Sequence, residues 1–368
     1  MPKYRFMLSG GGTGGHIFPA LAIADELKQR YPNAEFLFVG AQDRMEMEKV
    51  PAAGYAIEGL WISGIQRSLS AQNLAFPFKL ISSLNRSRKL IKSFKPHVVI
   101  GTGGFASGPL LHVASRKGIA CVIQEQNSYP GITNKISAAK ARKICVAYTK
   151  MERFFPAEKL VLTGNPLRKN LQEALPPAQE AKAKFGFKAD VPLLLILGGS
   201  LGARRINELV SDSLESLQAE KIGLLWQCGK LYHAALAEKH PEKENSLKLQ
   251  AFVNDMPSAF AAADLVVSRA GASTLSELAV VGKPAILVPS PNVAEDHQTK
   301  NAMALVEQMA AVLFKENGSP KAFAQEIIEL LKNKDQRQNL SANIKKLALP
   351  NAAQSIVNEI EKLLPHAR

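Results

Sequence analysis

The sequence predicts an α/β protein made of two doubly wound parallel-sheet domains, and three observations carry that prediction. Short apolar runs without period-two alternation recur along the chain, each followed by a helix-length stretch. Strands read this way when helices cover both faces of a parallel sheet. The series restarts after residue 168, and 368 residues suit two domains better than one. Four of the runs end in small residues, at positions 10–15, 101–104, 198–202 and 271–273. Open α/β sheets bind ligands beyond the carboxyl ends of their strands, so a site is expected there.

The first series reads YRFMLSG, AEFLFVG, HVVIGTGG, ACVIQEQ, KICVAYT and LVLTGNP. The second reads VPLLLILGGS, GLLWQCG, LKLQAFV, ADLVVSRAG, PAILVPS and AAVLFKE. The seam falls in GNPLRKNLQEALPPAQE, punctuated by Pro166, Pro176 and Pro177, and divides domain 1–164 from domain 165–349. A last helix near residues 352–363 has no strand after it. Hydrophobic residues make up 46% of the chain, enough for two cores. No apolar run approaches the ~18 residues of a membrane-spanning helix. The first strand begins by Tyr4, so no signal peptide is expected. Cys121, Cys145 and Cys228 lie far apart without metal-ligand spacing and fit a reducing, cytosolic setting.

The net charge of +14 is one-sided. Residues 1–168 hold 23 Lys and Arg against 10 Asp and Glu, whereas residues 169–368 hold 23 against 22. Between Glu58 and Glu125 there is no acid, and there are nine bases. Such a patch suits an anionic partner: a phosphate-bearing substrate, anionic lipid or nucleic acid. No nucleic-acid partner is expected, because the region lacks the aromatic and basic interleaving of single-strand binders. The stretch LAFPFKLISSLNRSRKLIKSFK, residues 74–95, favours lipid. On a helical wheel Phe76, Leu80, Leu84, Ile91 and Phe94 share one face, suited to packing on a sheet. A second face gathers Leu74, Phe78 and Ile81 at one end and Arg88, Lys89, Lys92 and Lys95 at the other. Its apolar end suits a headgroup boundary and its cations suit anionic lipid.

The chemistry concentrates at the glycine segments. MLSGGGTGGHIFPA crowds five glycines around Thr13, more than a turn needs, so something approaches that backbone closely. A glycine loop opening onto a helix offers bare N–H groups and a positive dipole end to a phosphate. Gly10, Gly12 and Gly15 also satisfy G-x-G-x-x-G, which admits a nicotinamide or flavin oxidoreductase. Against that, FLFVG runs into Ala41 and Gln42, where such proteins carry an acid. His16 follows the loop at a helix start, where the dipole disfavours its protonated form and leaves an imidazole able to accept a proton. A capping histidine is the alternative. In the second half, SRAGASTLSELAVVGKPAILVP sets Ser273, Thr274, Ser276 and Glu277 at a strand-to-helix junction. One reading is a capping box, with Ser273 or Thr274 as cap and Glu277 as return partner. The other sets backbone N–H groups on a diphosphate and the carboxylate on a ribose. No D-x-D pair occurs in the chain, so a metal-held diphosphate is not expected; no tightly bound cofactor is expected either.

The blocks GGGTGGHIFPALA, DRMEMEKVP, ISGIQR, GTGGFASGP, QEQNSYPGITNK, TGNPLR, GGSLGA, RAGASTLSE and DHQTKNA, in this order, resemble the MurG family of bacterial peptidoglycan glycosyltransferases. The resemblance spans nearly the whole chain. It implies a GT-B fold, two Rossmann-like domains facing across a cleft, with the final helix (350–368) crossing back onto the first domain. It also implies transfer of N-acetylglucosamine from UDP-GlcNAc to the C4 hydroxyl of lipid I, with inversion, giving lipid II. Lipid I is undecaprenyl-pyrophosphoryl-MurNAc-pentapeptide. The enzyme would work peripherally on the anionic cytoplasmic face of the bacterial inner membrane, with other cell-wall synthesis proteins as partners.

Carried over by motif, Thr13, Gly14, Gly15 and Asn127 would lie on the first-domain side of the donor. Arg168, Ser200 and Val253 would come from the junction and the second domain. Ala272, Ser273, Thr274, Leu275, Ser276 and Glu277 would cradle uridine, ribose and diphosphate, and Gln298 would read the sugar hydroxyls. His16 is the candidate base and Glu125 a secondary one. Gln124 and Phe105 stand where the family often has a histidine and a tyrosine, and neither can transfer a proton.

Overall fold

A computed structural model describes residues 3–64, 75–167, 171, 174–199 and 201–365. The chain divides into two units, Met1–Leu167 with Leu349–Arg368, and Arg168–Ala348. Each holds one parallel sheet.

The first sheet has seven strands in the order β3-β2-β1-β4-β5-β6-β7. These are β1 (Arg5–Gly10), β2 (Glu35–Ala41), β3 (Ile57–Leu60), β4 (Val98–Gly103), β5 (Ala120–Glu125), β6 (Lys143–Val146) and β7 (Leu160–Leu162). The second sheet runs β10-β9-β8-β11-β12-β13. Its strands are β8 (Leu193–Leu197), β9 (Gly223–Gln227), β10 (Leu247–Gln250), β11 (Leu265–Ser268), β12 (Ala285–Leu287) and β13 (Val312–Leu313). Counted within its own unit, each order begins 3-2-1-4-5-6, the doubly wound Rossmann arrangement. The sequence reading has no strand at β3. Its four residues include Glu58 and show no apolar run, and pairing with β2 from Phe38–Ile57 to Ala41–Leu60 supplies what local pattern does not.

In this order the winding reverses between the first and fourth strands, and the crevice there is where ligands bind. The reversal lies between β1 and β4 in one unit and between β8 and β11 in the other. The four strands that end in glycine-rich segments are these four. The pattern noticed in the sequence therefore falls pairwise on the two switch points.

Helices cover both faces of the first sheet because its strands bury both. Phe6 and Leu8 join a core with Ile17, Leu21 and Ile23 of α1 (Gly14–Arg30), while Met7 joins the opposite core. The helix Ala352–Glu361 brings Ile356, Val357 and Ile360 into the first of these cores. Arg30 fixes it there by donating to Asn358 Oδ1 (2.6 Å) and Glu361 Oε2 (3.0 Å). Gly164 marks the place of return: at φ +89° it lies under Leu349, whose Cβ would sit 2.6 Å from any Cβ at 164. The opposite core is covered by α3 (Phe76–Phe94), α4 (Ser107–Arg116) and α5 (Ile132–Ala138), with α4 packed against both of its neighbours. A short α2 (Glu46–Ala52) sits between β2 and β3.

On α3 the sheet-facing side is Leu90 and Ile91, with Phe76, Leu80, Leu84 and Phe94 half-buried beside them. Phe78 is 70% exposed and Ile81 57%, and Arg88, Lys89 and Lys92 are exposed as well. Leu74 lies outside the described residues.

Candidate active site

At the first switch point, β1 ends at Gly10 and Thr13 caps α1 with extended backbone (φ −148°, ψ 157°) and no side-chain cap bond. His16 sits in the first turn. Thr102, at the end of β4, donates its hydroxyl to the His16 carbonyl at 2.7 Å. The imidazole Nδ1 lies 2.9 Å from Gln126 Oε1. The ring also lies against Gly103 (φ +100°), where an added Cβ would come within 2.8 Å of Cε1 and Nδ1. Backbone and ring are thus held separately, the ring by the segment that follows β5.

The crowded glycines have an internal explanation that the sequence did not reveal. A Cβ at Gly10 would lie 1.9 Å from Thr102 Oγ1, and one at Gly11 would lie 2.1 Å from Glu46 Oε1. A Cβ at Gly104 (φ +86°) would lie 2.3 Å from the Gly11 carbonyl oxygen. The chain itself makes the close approach at these positions, whereas space is open at Gly12 and Gly15. Even Gly12 turns its N–H inward, donating to Glu46 Oε2 at 3.0 Å. Glu46 is fully buried and its other oxygen accepts from the Ala41 N–H at 3.0 Å. The start of α1 at Gly14 and Gly15, whose first turn carries no acid, is suited to an anion.

At the end of β5, Gln124, Glu125 and the following Gln126 are all buried. The Glu125 carboxylate accepts from the Asn127 N–H (2.9 Å), Asn127 Nδ2 (3.1 Å), the Gly131 N–H (3.2 Å) and Asn134 Nδ2 (2.8 Å). Four donors on a side chain 1% exposed make it the organiser of the loop that presents Asn127. Phe105, by contrast, is exposed.

In the second unit the helix Ala272–Val281 starts after Gly271, which is extended (φ −71°, ψ 137°) and has no side-chain cap. Of the two readings of this junction, the capping box does not form. Ser273 and Thr274 occupy the second and third helical positions, so neither caps the helix and Glu277 has no box to close. The first turn carries no acid, which leaves this helix end suited to an anion. Arg269 steadies the strand-to-helix turn through Val288 O (3.0 Å) and Glu316 Oε1 (2.6 Å). Glu277 and Ser276 are half-buried, and Leu275 faces the core. Gln298 accepts the Ser290 N–H on Oε1 at 2.8 Å, which directs its amide NH2 the other way. Buried Val253 donates its N–H to Gln227 Oε1 at 2.9 Å. Arg168 and Ser200 lie outside the described residues. Among the described residues no three His, Cys, Asp or Glu side chains gather as a metal site.

Two Rossmann-like units in one chain, each with paired small-residue loops at its switch point, are the construction of a GT-B glycosyltransferase. The chain belongs to glycosyltransferase family 28: residues 6–146 match the family's N-terminal domain and residues 193–356 its C-terminal domain. It is 56% identical over 364 residues to the UDP-N-acetylglucosamine–N-acetylmuramyl-(pentapeptide) pyrophosphoryl-undecaprenol N-acetylglucosamine transferase of Flavobacterium psychrophilum, covering 99% of each chain. It is 56% identical over 360 residues to the enzyme of the same name from Christiangramia forsetii, covering 98% of each. Among solved structures it is similar to MurG of Acinetobacter baumannii, with a TM-score of 0.80, 29% identity and coverage of 98% of this chain and 100% of that one.

Proposed function

We propose that this chain transfers N-acetylglucosamine from UDP-GlcNAc to the C4 hydroxyl of lipid I, with inversion, forming lipid II. The observation that carries the reading is identity of 56% along 99% of both chains to a transferase named for these substrates. His16 Nε2 takes the C4 proton while that oxygen bonds to the sugar's anomeric carbon. The bond from that carbon to the UDP oxygen breaks in the same step, so the configuration inverts. Thr13, Gly14, Gly15 and Asn127 line the first unit's side of the reaction. The helix end at Ala272, Ser273 and Thr274 meets the charge that grows on the departing diphosphate, in place of a metal. Glu277 bonds the ribose hydroxyls, Leu275, Ser276 and Val253 shape the nucleotide site, and the Gln298 NH2 donates to the GlcNAc hydroxyls. Arg168 and Ser200 serve the same donor. The test is transfer of labelled N-acetylglucosamine to a lipid I analogue. Labelled lipid II product is expected, and its absence with active substrates refutes the reading.

The acceptor is lipid-linked, and α3 supports a docking surface for an anionic membrane. Phe78 and Ile81 supply the apolar part and Arg88 and Lys92 the cations, with Leu74 beside them in sequence. The charged field extends onto α4. His112 is held below the ordinary histidine range by desolvation first, and then by Lys140, Arg116 and Arg88. Ile132 and Ile136 are exposed on α5. Each basic residue near an anionic surface contributes roughly 1 kcal/mol. Vesicles rich in anionic lipid are expected to sediment the protein, and neutral vesicles much less. The combined Phe78→Ser, Ile81→Ser, Arg88→Glu and Lys92→Glu variant is expected to stay in the supernatant. Equal sedimentation of parent and variant would rule this surface out.

A further inference from the structure

We infer that Gln126 fixes His16 as the Nδ1–H tautomer and so leaves Nε2 as the atom that takes the proton. The role in the mechanism rests on the reading of His16 as base, but the hydrogen on Nδ1 follows from geometry alone. A glutamine amide can present either its oxygen or its NH2 to a neighbour, and its other partners decide which. Gln126 Nε2 lies 2.8 Å from Thr102 O and 3.1 Å from Gln124 O, and also against Gln124 Oε1. All three are acceptors. Turned over, the amide would set oxygen against three oxygens inside a buried site. The oxygen therefore faces His16, and Nδ1 must carry the hydrogen in the 2.9 Å contact.

The amide cannot drift, because its neighbours are fixed in turn. Gln124 spends its oxygen on Gln126, so its Nε2 donates to Asn165 Oδ1 at 3.0 Å. Asn165 Nδ2 then donates to the Gln126 carbonyl at 3.1 Å. Three buried side-chain amides form a chain anchored at both ends on main-chain carbonyls, in which each orientation dictates the next. Thr102 joins both ends: its carbonyl holds Gln126 and its hydroxyl holds the His16 backbone. Which ring nitrogen is left to react is set by the hydrogen bond the other one makes. Gln126 is thus a positioning residue for a histidine that it never needs to help in chemistry.

The test is a long-range nitrogen–proton NMR spectrum of protein carrying 15N-histidine, with the His16 signals assigned by their loss in His16→Ala. The parent is expected to show a protonated Nδ1 and an unprotonated Nε2. In Gln126→Met the Nε2–H form should appear, and turnover should fall by about 10- to 100-fold while KM for UDP-GlcNAc holds within a factor of three, as for lost general-base efficiency. A parent in the Nε2–H form overturns the inference, and so does a Gln126→Met variant with unchanged tautomer and turnover. The parent spectrum needs no variant, so a Gln126→Met chain that fails to fold leaves the test intact. The two readings separate cleanly. Full turnover in His16→Ala refutes the base, whereas the wrong tautomer refutes Gln126.

Discussion

His16→Ala is expected to lower turnover by about 10²- to 10⁴-fold at saturating substrates, the usual worth of general-base assistance. UDP-GlcNAc binding should change little, because the nucleotide is assigned to the second unit and His16 belongs to the first. The fold should also survive. Among the described residues the imidazole bonds only Gln126, and removing it costs about 1–3 kcal/mol. The backbone contact from Thr102 remains in the variant, since it ends on the His16 carbonyl. Turnover and UDP-GlcNAc affinity measured side by side, with a melting curve, separate the possibilities. A variant that turns over within a few-fold of the parent removes His16 from the chemistry. One that loses donor binding in proportion to turnover makes it a binding residue instead.

The architecture was legible in the sequence where it is local. Runs such as VPLLLILGGS are apolar because both faces of a central strand are covered, and the buried LLLIL of β8 shows it. Small residues at the ends of β1, β4, β8 and β11 could be seen, but not that these strands neighbour one another pairwise, since strand order depends on pairing across distance. β3 escaped because Glu58 interrupts four residues whose strand character comes from β2. The capping box failed for a different reason. RAGASTLSE allows several starting registers, and the extended backbone at Gly271 selected the one that puts Ser273 and Thr274 inside the helix.

The site was legible in its parts and illegible in its wiring. His16 and Glu277 stand beside motifs that announce them. Glu46 does not: it serves a glycine 34 residues away, and nothing near it in the sequence points back. Thr102 and Gln126 are likewise ordinary residues until β1, β4 and β5 bring them together. Polar networks of this kind leave no periodic trace, because each element contributes only one or two side chains.

Glu125→Ala should destabilise the first unit by about 3 to 5 kcal/mol, which would mark the residue as a structural anion. A buried donor left without an acceptor costs roughly 1–3 kcal/mol, and of the four donors on this carboxylate Asn134 Nδ2 is buried and the other three partly buried. Water entering the vacated space would satisfy some of them, which keeps the total below the simple sum. Glu125→Gln sharpens the comparison. Its oxygen can still accept from two donors, but its NH2 then faces the others, so an intermediate loss is expected. The segment that follows should loosen, and with it the placement of Asn127. Hydrogen exchange is the direct readout: the Asn127 and Gly131 amides should lose protection in both variants, more in Glu125→Ala. A general base behaves differently, because removing one abolishes turnover and leaves those amides protected. If Glu125→Gln keeps its stability and its exchange pattern but no longer turns over, the carboxylate is catalytic. If protection and stability fall together, its negative charge serves the loop.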